Sequence, residues 1–245
     1  MISEKTFAAG FTSFWKEVLP GTQSYMKLVK AGLNASVHTR LDAPARKQNT
    51  AIVNVLAFNY YRLSIERKLD LAPMDSITLQ ASTDYGNLMT AATEYMDRFA
   101  IRQTYVLPLT AEEVQQALEV AQRLTKRYHW SQNPIVDPKF DGCGIIDATA
   151  GDIFVDRKLI EIKAGVSDFE PAYLRQVMIY CTLNHYSSIP FPAKRVEIFN
   201  PRSGELYQED VEQLALMLSG TSSLELFSTI QKYITEFNFV ECPNT

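Results

Sequence analysis

No segment constrains the fold of this chain as strongly as residues 151–163, which read Gly-Asp-Ile-Phe-Val-Asp-Arg-Lys-Leu-Ile-Glu-Ile-Lys. Two apolar runs flank one short polar break, the signature of a β-hairpin. A two-residue turn at Asp156-Arg157 pairs Val155 with Lys158 and Phe154 with Leu159. Asp152 then lies directly opposite Glu161. Opposed residues project from the same face of a sheet, and Lys163, two residues further on, shares that face. An Asp, a Glu and a Lys therefore converge among Ile, Phe, Val and Leu.

Such an arrangement is costly as structure alone. Two carboxylates ~5 Å apart on a half-buried sheet repel each other. A divalent cation resolves the conflict, because Mg²⁺ binds one or two carboxylates together with water and phosphate oxygens. The lysine can then orient a water or stabilise charge on a phosphate. Downstream, Gln176 and Tyr180 are four residues apart, share one face of a predicted helix and can reach the mouth of the same site. Gln can bond a phosphate or hold the lysine, and Tyr can contact a nucleic-acid backbone.

Asp152 with Glu161-Ile162-Lys163, followed by Gln176-Val177-Met178-Ile179-Tyr180, resembles the core of the PD-(D/E)XK nuclease superfamily, in its RecB-like branch with a Gln-x-x-x-Tyr motif. The resemblance extends over about residues 137–210, where 194–206 reads as a further hairpin. One departure is that no Pro-Asp pair precedes Glu161: the acid stands in Gly151-Asp152, and Asp147 competes for the same place. The resemblance implies an α/β fold with a restriction-endonuclease-like mixed sheet flanked by helices. It also implies Mg²⁺ or Mn²⁺ held by Asp152, Glu161 and the carbonyl of Ile162. Lys163 would position the attacking water, and Gln176 and Tyr180 would shape the site and contact the strand. Relatives often add an acidic ligand from a helix that precedes the core, for which Glu113 and Glu119 are unaligned candidates.

The remainder of the chain divides unevenly, with a mainly helical region over residues 1–130 and the nuclease core with C-terminal helices over 131–245. Phe7, Phe11, Phe14, Trp15 and Val18 make an amphipathic stripe over 7–18. Residues 50–68 and 82–99 read as helices. Thr110-Ala111-Glu112-Glu113 is a capping box that opens another through about Tyr128, and Ser167-Asp168-Phe169-Glu170 is a second box ahead of Pro171. Residues 131–150 are rich in loop signals, and two more helices follow at about 208–218 and 222–237.

Several chemistries are disfavoured. Cys143, Cys181 and Cys242 are widely spaced, which argues against zinc ribbons and iron–sulfur clusters and suits a reduced, cytoplasmic setting. His38, His129 and His185 form no His-x-x-x-His pair. No Walker-type loop, membrane-length apolar run or secretory leader is visible.

The 28 acidic against 24 basic side chains leave a net charge of −4, unusual for a protein that must neutralise phosphates. Local patches can still bind, and three basic clusters are candidates: His38, Arg40, Arg46 and Lys47; Arg62, Arg67 and Lys68; Arg123, Lys126 and Arg127. The acidity also points to an assembly, as a homo-oligomer or beside a DNA-translocating or helicase partner, with helices 7–18 and 50–68 carrying the contact or, alternatively, packing against the nuclease core. The expected function is metal-dependent hydrolysis of DNA in repair, recombination or antiviral defence, with no membrane association. A non-catalytic DNA-binding or scaffold subunit and an RNA-directed nuclease are the alternatives.

Overall fold

The structure, a computed structural model, describes residues 1–42, 46–72, 74–99, 105–165 and 169–237. In chain order its elements are α1 (Glu4–Ala9), α2 (Thr12–Val18), α3 (Thr22–Leu28), β1 (Ala35–Ser36), α4 (Thr50–Arg67), α5 (Ser76–Gln80), α6 (Thr83–Phe99) and α7 (Ala111–Arg127). There follow β2 (Ile135–Val136), β3 (Lys139–Phe140), β4 (Thr149–Ala150), β5 (Ile153–Val155), β6 (Lys158–Ile162), α8 (Pro171–Tyr186), β7 (Arg195–Asn200), β8 (Glu205–Asp210), α9 (Val211–Ser219) and α10 (Ser223–Glu236). The protein is thus α/β, with a mixed sheet flanked by helices and a mainly helical N-terminal half.

Six strands form one sheet in the order β1-β8-β7-β6-β5-β2. Among the described strands of this sheet, β6 and β7 are the one parallel pair, with α8 as the crossover between them. The register of the β5–β6 hairpin is the one its sequence predicts, Val155 opposite Lys158 and Phe154 opposite Leu159. Asp156 and Arg157 both take positive φ, 49° and 61°, the geometry of the tight turn whose twist matches that of its flanking strands.

Both faces of the sheet are covered, which explains the nearly continuous apolar runs. Phe154, Leu159, Val196, Ile198 and Tyr207 pack towards α8 and the C-terminal helices. Ile153, Val155, Ile160 and Phe199 alternate with them and pack towards α4 and α7. Lys158 and Glu197 fall on the second face as an ion pair, and Arg127 of α7 joins Glu197 at 2.7 Å. A charge pair is tolerated there because the two ions compensate each other.

Three expectations are corrected. The stripe over 7–18 belongs to two helices, since Gly10 is extended and Phe11 turns left-handed (φ 50°) between them. That break turns Phe7, Phe14 and Trp15 into one buried aromatic cluster, locked by the Trp15 indole N–H donating to the Phe7 carbonyl at 2.8 Å. The predicted box before α8 does not cap it. Ser167 and Asp168 lie outside the described residues, while Glu170 is itself the extended cap, with no side-chain bond to the helix end, and Pro171 occupies the first position. Finally, helices 7–18 and 50–68 do not present their apolar faces to a partner. Phe7, Trp15, Ile52, Leu56, Tyr60 and Tyr61 are all essentially inaccessible within the chain's own cores.

Candidate active site

The carboxyl end of β6 and the start of β5 open into a cavity of about 480 Å³. Asp152, Glu161, Ile162 and Lys163 line it from the sheet. Continuing the hairpin register by one step places Asp152 opposite Glu161, as the sequence predicts. Asp152 stands just before β5, and its Oδ2 accepts the Ile162 N–H at 2.6 Å, which ties the carboxylate to the end of β6. Asp147 does not line the cavity. Its backbone N–H donates to the Ile2 carbonyl, so Asp152 is the acid of the hairpin.

The Glu161 side chain is only 3% exposed. Its Oε1 accepts from Lys163 Nζ at 2.7 Å, while its Oε2 is buried with no hydrogen-bond partner. A buried carboxyl oxygen left so calls for a cation or a donor. Burial, followed by the Glu161 charge, raises the Asp152 carboxyl to about 8; the Ile162 N–H and the Lys5 and Lys163 ammonium groups oppose that rise. Two buried carboxylates brought together have the donor chemistry suited to a hard divalent ion. Among the described residues no group of three or more His, Cys, Asp or Glu is arranged to hold a metal. The candidate ligand set is therefore the two carboxylates and backbone oxygen, completed by water or substrate, as Mg²⁺ commonly accepts.

Lys163 Nζ also donates to Gln176 Oε1 at 2.6 Å and sits 4.7 Å from the centre of the Tyr173 ring. Gln176 thus holds the lysine, one of the two uses the sequence allowed. Its Nε2 donates to the Tyr180 hydroxyl at 2.9 Å. Gln176 and Tyr180 are 3% and 4% exposed, and neither lines the cavity. The expectation that they contact the strand is corrected. The helix that carries them is buried on nearly all sides, so its motif points into the protein and supports the lysine from behind.

The sequence reading missed Glu4. This residue opens α1, capped by Ser3 whose Oγ accepts the Thr6 N–H. Bonds between Ile2 and residues 145 and 147 anchor the chain just ahead of it. Glu4 is 5% exposed. Its Oε1 accepts from the Tyr180 hydroxyl at 3.2 Å and from Gln176 Nε2 at 3.3 Å, and its Oε2 accepts from Thr149. Glu161, Lys163, Gln176, Tyr180 and Glu4 are one buried chain of hydrogen bonds. A signal was present in the sequence: Glu4, Phe7 and Ala8 share a helical face, and a carboxylate in an apolar stripe needs a polar partner inside. Glu113 is spent elsewhere, bonded to Arg46 and Asn49, and Glu119 lines a second cavity along α7. Neither reaches Asp152.

On the nuclease reading proposed below, Glu4→Ala lowers cleavage about 10- to 100-fold, the scale of losing an outer group that orients a site residue, and Glu4→Gln recovers much of it. Rates that match wild type in Glu4→Ala would show the chain of bonds to be structural only.

Of the basic clusters only Arg62 reaches the cavity. Arg46, Arg67 and Arg127 pair with Glu113, Asp84 and Glu197, and Arg123 donates to the Pro201 carbonyl. Arg62 Nη2 donates to Asp137 Oδ2 at 2.8 Å, and both residues line the cavity with Lys5 of α1. Burial raises the Cys143 thiol, which counts against a nucleophile there. Cys242 lies outside the described residues. No helix among the described residues is long and apolar enough to cross a membrane. No protein-family model matches the chain, and no curated protein matches it in sequence.

Proposed function

We propose that the protein is a metal-dependent nuclease that hydrolyses phosphodiester bonds in DNA. The observation that carries this reading is the site itself: a tied Asp152, a Glu161 with one buried oxygen unpartnered, and a Lys163 bonded to Glu161, all on one cavity. Asp152 and Glu161, with the Ile162 carbonyl, would hold Mg²⁺ or Mn²⁺, which would supply Lewis-acid activation of water and charge neutralisation on the phosphate. Lys163 has three ammonium donors, of which Glu161 and Gln176 take two. The third is available to a phosphate oxygen or to the attacking water. In hydrolysis the water oxygen bonds to phosphorus and gives up one proton, the bond to the leaving sugar oxygen breaks, and that oxygen takes up one proton. Gln176, braced by Tyr180 and Glu4, keeps the lysine from swinging away as charge develops. A scaffold without catalysis would have no need of a buried carboxylate aimed at an unmatched cavity.

Repair, recombination and antiviral defence are all compatible with this chemistry in a cytoplasmic setting. The net charge of −4 favours action inside an assembly, as a homo-oligomer or beside a DNA-translocating partner. The purified chain should therefore bind DNA weakly at physiological salt, with affinity that falls steeply as salt rises. A salt titration of binding beside light scattering checks this. A monomer that binds DNA tightly at physiological salt contradicts it.

A cleavage assay with Mg²⁺, Mn²⁺ or a chelator tests the main reading, with RNA of the same sequence alongside to separate the two substrates.

A further inference from the structure

Apart from the carboxylates, α7 lines a second cavity of about 590 Å³, together with His38, after β1, and Asp70, after α4. Four of its lining side chains are basic: His38, Arg123, Lys126 and His129. Among the described residues, none of the four forms an ion pair with a carboxylate. The Arg123 guanidinium is held in place. Its Nη1 donates to the Pro201 carbonyl at 2.8 Å, which leaves Nε and Nη2 for a ligand. His129 Nδ1 accepts the Ser131 N–H at 3.3 Å, so the neutral ring carries its proton on Nε2, a further donor. His38 is set against the β7–β8 turn. The Val37 N–H donates to the Gly204 carbonyl, and Gly204, at φ 75°, lies so close that a Cβ there would come within 2.1 Å of the His38 carbonyl oxygen. Burial, then the charges of Arg123, Lys126 and Arg127, hold the His38 imidazole below its usual value. The charges that act on it are thus all positive. Acceptors line the same cavity. Glu119 and Asp70 each have one oxygen bonded, to the Gln115 amide and the Ala72 N–H, and one open to donors of a ligand. Glu119 precedes Lys126 by seven residues, ~10 Å along the helix axis.

We propose that this cavity is a second ligand site, which binds a small phosphate monoester whose body carries hydroxyl or amino donors, such as a sugar phosphate. The phosphate seats on Arg123, Lys126 and His38, and the donors of the body meet Glu119 and Asp70. A guanidinium fork beside an ammonium and an imidazole suits the several oxygens of a phosphate. Full charges at Arg123 and Lys126 outweigh the partial negative charge at the carboxyl end of α7. The two carboxylates favour a small molecule over a nucleic-acid strand: a run of phosphates along the cavity would meet them, whereas hydroxyl and amino groups bond to them. A volume of about 590 Å³ is ample for such a ligand. The site shares no lining residue with the carboxylate cavity, and it stands whether or not the chain cuts DNA.

Calorimetric titration of the metal-free protein, in a phosphate-free buffer at low salt, tests the site. The separate probes are ribose 5-phosphate, inorganic phosphate, ribose and a short single-stranded DNA. We expect ribose 5-phosphate to bind about tenfold more tightly than inorganic phosphate, and ribose to bind least. Lys126→Gln and Arg123→Gln should each lower the affinity for ribose 5-phosphate about tenfold or more, the scale of a lost charge-assisted hydrogen bond. Arg123→Gln also removes the tie to Pro201; if that variant melts early, Lys126→Gln decides, because this side chain is exposed. Lys163→Ala, in the other cavity, should bind as wild type does. Absence of ribose 5-phosphate binding, full affinity in Lys126→Gln, or affinity lost in Lys163→Ala overturns the inference. Displacement of ribose 5-phosphate by the DNA, abolished in Lys126→Gln, would make the cavity a strand groove and overturns it as well.

Discussion

Lys163→Ala should lower DNA cleavage by at least about a thousandfold, the scale of losing a preorganised charge at a reacting phosphate. Glu161→Gln should do the same by removing a metal-ligand oxygen. Stability separates the two variants. Lys163 is the hydrogen-bond donor to Glu161, whose other oxygen already lacks a partner. Truncating the lysine leaves a second Glu161 oxygen buried without its hydrogen bond, at a cost on the order of 1–3 kcal/mol. Lys5, close enough to feel the Glu161 charge, softens the loss. Glu161→Gln keeps an acceptor for Lys163 and removes the repulsion with Asp152, so its melting temperature should hold. Cleavage that persists in Lys163→Ala would remove the motif from the mechanism.

Asp152→Asn should stabilise the metal-free protein at neutral and alkaline pH. Burial and Glu161 raise this carboxyl to about 8 in the folded chain, against 3.8 ordinarily. A raised carboxyl means that the native state binds the proton more tightly than the unfolded chain does. Its contribution is fully present below the unfolded value near 4 and is lost as pH rises through the folded value near 8. The wild-type apoprotein should weaken over that window, and the Asn variant should not weaken through this group. The Asn side chain also keeps an acceptor for the Ile162 N–H. Because Lys5 and Lys163 persist beside the pair, we expect a difference on the order of 1–3 kcal/mol at pH 8. Saturating Mg²⁺ should reverse the order, since it binds folded wild type and leaves the variant unchanged. Denaturant melts in chelator and in Mg²⁺ across pH 5 to 9 check both signs; a variant less stable at pH 8 in chelator contradicts the account.

The hairpin was legible because period, turn and charge agree there: one two-residue turn sets the register, and the register sets which side chains meet. The long helices α4, α6 and α7, the Thr110 capping box and the β7–β8 hairpin follow from equally local signals. Glu4 was not legible, because its site depends on a contact between the first helix and α8, 172 residues away in the case of Gln176. Tyr180 misled for a related reason. Spacing shows that Gln176 and Tyr180 share a helix face, but only packing decides whether that face meets the cavity or the core. Asp137 and Arg62 likewise pair across 75 residues, a distance at which no periodicity speaks.

Central to this account is a divalent ion at Asp152 and Glu161 that enables phosphodiester hydrolysis. Purified wild-type protein incubated with linear and circular DNA, single- and double-stranded, tests it most directly. The account predicts new products on adding Mg²⁺ or Mn²⁺ and none in chelator. Intact DNA under every metal condition, or equal cleavage in chelator, would contradict it.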